Sequence, residues 1–155
     1  MSAHPFDLRT VLLAKHAQHV VLAHFPIALF ITGVGLDYAA QWTKKAALGA
    51  AAYINLMLAA VATVPVVATG LIAWQWALEG QRLKGILLMH LVFGATSAVM
   101  IWLVWWLHFR ARRGSAAGSA GVVGLPGYRL VVEFVGVAVV ALTGHLGGFL
   151  SGVNS

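Results

Sequence analysis

The stretch His24-Phe25-Pro26-Ile27-Ala28-Leu29 decides the fold. It opens a long apolar run, and a titratable ring inside such a run has to find a partner. An ionisable group within a membrane segment marks a candidate functional site. Pro26 lies two residues after the histidine, near the expected helix start, where a missing N–H costs little. What His24 faces is therefore the first functional question.

The surrounding chain fixes the solvent. It has 155 residues, 61% hydrophobic and 9% charged, with four acids and a mean hydropathy of +0.88. That excludes a soluble domain, and the long apolar stretches point to transmembrane segments. Cysteine is absent, which excludes disulfides, thiolate metal sites, iron–sulfur clusters and covalent haem c attachment. The formal charge is +6, but the bases flank apolar runs, so they read as topology-setting loop charge and not as a nucleic-acid surface. The first apolar run continues past Asp37 without a small-residue cleavage site after a short core, which predicts a retained helix in place of a cleaved signal peptide.

Residues 1–19 mix Pro5, Leu8, Val11, Leu12 and Lys15 in a spacing that fits an interfacial helix. His16 and His19 follow and read as histidines at the membrane boundary. Residues 20–150 read as one four-helix transmembrane domain, and 151–155 as a short tail. The expected spans are Val20–Trp42, Ala46–Leu78, Ile86–His108 and Tyr128–Leu150. The second is 33 residues long, more than the ~20 that cross the hydrocarbon. It should tilt, kink at Pro65 or protrude. Residues 79–85 form a polar turn, and 114–127 are rich in Gly, Ser, Ala and Pro and read as a loop. No internal repeat stands out. The expected fold class is all-α, an integral membrane four-helix up-and-down bundle.

Orientation follows from the bases. Arg9, Lys15, Arg82 and Lys84 lie on the side of the termini, and Lys44, Lys45, Arg110, Arg112, Arg113 and Arg129 on the other. Six against four predicts both termini on the outer side of the membrane.

Alternating helix direction brings three histidines to one level. His24 lies four residues into the first span, His90 four into the third, and His145 five before the end of the fourth. At 1.5 Å per residue each is roughly 6–8 Å below the same outer boundary. Ala28 and Thr32 share the His24 face, and Gly94 and Ser97 the His90 face; Ala138, Ala141 and Gly148 flank His145. Small residues allow close helix packing, and they leave room for a flat macrocycle. The first and third helices should stand diagonally opposite, so His24 and His90 could supply the two axial imidazoles of a haem b in the bundle core. His145 would be a third ligand candidate or a hydrogen bond to the macrocycle. The alternatives are another metal or a proton-transfer cluster, and histidines that merely hydrogen-bond between helices.

The same residues carry a resemblance. His24-Phe25-Pro26-Ile27-Ala28-Leu29 followed by Asp37, then Thr69-Gly70-Leu71 before Trp74, His90, and the closing Leu146-Gly147-Gly148 resemble the DUF2231 family of small bacterial four-helix membrane proteins. The similarity covers nearly the whole chain. It implies the fold and a bacterial inner-membrane location with periplasmic termini, and it implies no activity. The family often carries Asp where this chain has Ala73, and an aromatic residue where it has His145. The resemblance therefore supports His24 and His90 above His145.

At the opposite boundary Asp37 and Glu133 form an acidic layer, with Arg129 one turn from Glu133. A structural pairing with Arg129 or the lysines is the expected role, and a way for protons into the bundle is the functional alternative. His108, beside Arg110, is expected to be silent. Three functions are open. One is a haem b electron-transfer protein or subunit of a larger respiratory or redox complex, exchanging electrons with quinone or a periplasmic donor. Another is a copper or zinc protein using His24, His90 and His145 with Met89 nearby. The third is a structural subunit of a larger assembly. The chain has no nucleophile–base set and no dinucleotide motif, which argues against an independent enzyme.

Overall fold

The computed structural model describes residues 15–77, 80, 82–114 and 127–151. These residues form α1 (Lys15–Thr43), α2 (Ala46–Ile72), α3 (Gly85–Gly114) and α4 (Tyr128–Leu150), with a π-helical turn at Ala73–Ala77 continuing α2. All four helices are long and apolar enough to cross a membrane. The all-α four-helix class expected from hydropathy is the observed one.

The boundaries differ from the expected spans in informative ways. α1 already runs at Lys15, so Pro26 lies well inside it and is buried there. The rest of the expected interfacial segment, residues 1–14, lies outside the described residues, as do the centre of the third loop and the last four residues of the tail. α2 passes through Pro65 as a continuous helix. Its irregularity falls eight residues later, at the π turn, where the ladder changes register. α3 extends to Gly114, so Arg110, Arg112 and Arg113 stand on helix and not in a loop.

Short connections set the antiparallel order. Lys44 adopts a φ of 58° and donates its N–H to Ala40 O at 2.8 Å, which ends α1 and turns the chain into α2 within two residues. α1 packs on α2 and α4, and α3 closes the ring against the same two helices. α1 and α3 are thus diagonal, as an up-and-down bundle requires.

Each helix buries one stripe. In α1 it runs Pro26, Phe30, Gly33, Asp37, Ala40; in α3 Ser97, Ile101, Val104, His108; in α4 Arg129, Glu133, Gly136, Val140. Steps of three and four residues keep these on one face. Phe30, Leu56, Val104 and Val140 meet in the middle of the bundle. Two glycines make that centre possible: a Cβ on Gly136 would stand 3.0 Å from Phe30 Cζ, and one on Gly33 3.0 Å from Leu56 Cγ. Along α2, Ala52, Ala59 and Ala60 are buried against α1 and its neighbours, the small-residue packing by which membrane helices associate. The outer faces carry Val21, Phe25, Val61, Val99 and Phe134, all exposed. Asp37, His108, Arg129 and Glu133 are buried while these apolar side chains face outward, the arrangement suited to a lipid solvent.

Candidate functional site

Two polar groupings occupy opposite ends of this core. His19 and Asp37 on α1, and His90 and His108 on α3, are each eighteen residues apart, which is about 27 Å along the helix.

The stronger grouping is at the Asp37 end. α4 presents Arg129 and Glu133 one turn apart on its buried stripe. α1 brings Asp37 to them, and α3 brings His108. Their exposures are 3% for Asp37, 4% for His108, 2% for Arg129 and 0% for Glu133, so water does little to solvate their charges. Arg129 Nη2 donates a short hydrogen bond to Asp37 Oδ2. His108 Nε2 and Glu133 Oε1 are 2.8 Å apart, hydrogen-bond distance. Arg129 Nε stands 3.2 Å from the same Oε1, an ion-pair contact without hydrogen-bond geometry. Glu133 Oε2 and Arg129 Nη1 are buried with no hydrogen-bond partner. Just outside, the Tyr38 hydroxyl donates to Leu130 O at 2.6 Å and ties α1 to the first turn of α4.

Charge decides what this group can do. Two carboxylates face one permanent cation, so the set is neutral only when the His108–Glu133 pair carries one further proton. In a low-dielectric interior an uncompensated charge is costly. One ligand atom each from Asp37, His108 and Glu133 lies within 4.8 Å of the others, a spacing that could take a metal ion. The guanidinium among them opposes a divalent cation, and the donor set suits a proton better.

At the other end the histidines sort by face. His19, which continues the buried stripe of α1, donates from Nδ1 to Val66 O at 3.1 Å and stands 3.4 Å from Thr69 Oγ1. Its ring meets that of His90 edge to face, with centroids 6.4 Å apart. His90 Nδ1 is buried with no hydrogen-bond partner. Glycine backbone lines both rings: a Cβ on Gly70 would fall 2.9 Å from His19 Cε1, and one on Gly147 3.2 Å from His90 Cε1.

His24 and His145 are not brought to His90. His24 is exposed and donates to Val20 O of its own helix at 2.7 Å. It is five residues from His19, about 140° around α1. His145 is exposed and its ring packs on Phe149 with centroids 5.0 Å apart. It lies two residues from both Thr143, which hydrogen-bonds Ser97 at 2.8 Å, and Gly147, so it points about 200° away from that inner face. Gly94 is at the α3–α4 contact, 3.9 Å from Thr143 Cγ2 for an added Cβ, whereas Ala28 is exposed.

Depth and facing both separate these cases: His19, and not His24, is level with His90. His19 and His108, set aside at the boundaries from sequence, stand on the buried stripes instead. The signal that finds them is register: stepping back seven residues from Pro26 reaches His19, and stepping on seven from Ile101 reaches His108.

No curated protein and no solved structure matches the chain. A family model described as a predicted membrane protein, DUF2231, matches residues 15–153. With that match over nearly the whole length, and four membrane-spanning helices carrying the residues of the resemblance, the chain belongs to the DUF2231 family of predicted membrane proteins.

Proposed function

We propose that this protein is a membrane-embedded proton-binding component, holding one exchangeable proton on the His108–Glu133 pair. The observation that carries the reading is the charge sum of the buried cluster: Asp37 and Glu133 against Arg129 leave one negative charge, which a proton on His108 or Glu133 cancels. The unpartnered Glu133 Oε2 offers a second position for it.

The middle of the bundle argues for binding and against conduction. Phe30, Leu56, Val104 and Val140 fill it, and among the described residues the hydroxyl contacts between helices there are Ser97–Thr143 and Thr63–Trp102, whose threonines bond back to their own helices. The proton would therefore enter and leave on the side of the cluster. With the termini in the periplasm of a bacterial inner membrane, as the distribution of bases favours, that side is cytoplasmic. Such a component could serve a larger respiratory or redox complex, where proton uptake accompanies electron transfer.

The test is proton uptake by purified protein over the pH range in which it stays folded, read by infrared bands of the protonated carboxyl and by imidazole nitrogen resonances. The expected result is one titrating proton that is lost in both Glu133→Gln and His108→Gln. Equal uptake by wild type and both variants would refute the reading and leave the cluster as a structural tie.

A second reading places a cofactor at the histidine end, and the buried, unpartnered Nδ1 of His90 favours it. A haem b, or a copper or zinc ion, would draw on His90 together with His19, whose ring meets it, in preference to His24 and His145 on the outer faces. The reduced-minus-oxidised spectrum and metal analysis of protein from haem-replete cells test this. A colourless, metal-free and fully folded preparation would refute it.

A further inference from the structure

The last turns of α3 carry Arg110, Arg112 and Arg113, and each guanidinium lies over an aromatic ring. Arg110 is 4.8 Å from the centroid of Trp106, Arg112 4.2 Å from that of Tyr53, and Arg113 4.4 Å from that of Phe109. Arg112 also donates from Nη2 to Gly49 O at 3.1 Å, which fastens the end of α3 to the first turn of α2. Lys44 and Lys45 stand immediately before that turn. All five cations are exposed.

Their countercharge is missing from the described part of the chain. The two described acids, Asp37 and Glu133, are buried and already engaged by Arg129 and His108. A guanidinium held by its face on a ring keeps its N–H edge available, the fork that matches phosphate oxygens. Trp102, Leu103 and Trp106 lie exposed on the same end of α3, directly below the arginines. A molecule that covers both surfaces needs an anionic head and an apolar tail.

We propose that this end of the α2–α3 pair binds an anionic phospholipid, with the headgroup phosphate on Arg110 and Arg113, which share a face with Trp102 and Trp106, the acyl chains along those tryptophans, and Arg112 adding its charge from the adjoining face toward α2. The site is separate from the proton-binding cluster and does not depend on it. A soluble polyanion would satisfy the arginines but leave the tryptophan surface uncovered, which is why the lipid is favoured.

Native mass spectrometry of the purified full chain in neutral detergent tests the proposal. The probes are phosphatidylglycerol and phosphatidylcholine of matched acyl chains, and inorganic phosphate alone. Wild type should retain phosphatidylglycerol over phosphatidylcholine and show no comparable retention of phosphate. The Arg110→Gln/Arg112→Gln/Arg113→Gln variant should need about a hundredfold more phosphatidylglycerol for the same retention, from the worth of each basic residue at an anionic surface. Arg82→Gln/Lys84→Gln, at the other end of the bundle, should behave as wild type. Should the triple variant fail to fold, Arg110→Gln/Arg113→Gln keeps the Arg112 tie to α2 and should still lose about thirtyfold. Equal retention of the two lipids by wild type, unchanged retention by a folded variant, or phosphate bound as well as phosphatidylglycerol would each overturn it.

Discussion

Replacing Arg129 by Met removes the one permanent cation from a cluster with two buried carboxylates. In wild type, Asp37 and Glu133 are balanced by Arg129 and one proton. In Arg129→Met the same proton leaves one negative charge uncovered beside groups that are 3% and 0% exposed. Breaking a buried ion pair by deleting one partner costs about 3–5 kcal/mol, a factor on the order of a hundred to a few thousand in the folding equilibrium. The same arithmetic predicts a rescue. In Asp37→Asn/Arg129→Met, Glu133 remains with protonated His108 and the cluster is neutral again. About half of the loss should return, on the order of 2 kcal/mol. Glu133→Gln alone leaves Asp37 with Arg129 and a neutral His108, so it should cost about 1–2 kcal/mol, the loss of a hydrogen bond. The assay is reversible unfolding in mixed micelles, arranged as a double-mutant cycle. Acidification should narrow the gap between Arg129→Met and wild type, because the uncovered carboxylate can then take a proton. If the single and double variants lose the same stability, or Glu133→Gln costs as much as Arg129→Met, the charge-balance account of the cluster is wrong.

Gly136→Ala puts a Cβ 3.0 Å from Phe30 Cζ, so overpacking should cost about 1–3 kcal/mol, relieved by adding Phe30→Leu and read by the same unfolding assay. Thr143→Val removes the partner of Ser97 on facing helices and should cost about 0.6 kcal/mol in a double-mutant cycle with Ser97→Ala. For protein that carries haem, His19→Ala and His90→Ala should each abolish the low-spin spectrum, and His24→Ala should retain it; the reverse outcome for His24 and His19 would restore His24 as the axial ligand. Thr63→Val should shift the fluorescence of Trp102, whose indole N–H donates to Thr63 Oγ1 at 2.9 Å; an unchanged spectrum would place that indole elsewhere.

The sequence by itself determined the number of spans, their antiparallel order, the membrane as solvent and the spacing of the polar residues along each helix. Those follow from hydropathy and from a rise of 1.5 Å per residue, which is linear in residue number. It also marked Asp37 and Glu133 as a layer near one boundary, with Arg129 one turn from Glu133. What it left open was direction around each helix. In a soluble bundle the apolar stripe faces inward and names the core; here the outward faces are as apolar as the inward ones, so hydropathy alone does not say which side of α1 holds the functional ring. His24 and His90 were expected at one depth, yet the ring that meets His90 is that of His19, five residues earlier on α1. Tertiary structure alone decided that His19 takes the inner position, that Asp37 finds Arg129 across 92 residues of chain, and that His108 closes on Glu133. The reason is that depth is set within one helix, whereas facing is set by the partners a helix packs against, and here glycines 33 and 136 fix that choice by admitting Leu56 and Phe30 into the centre.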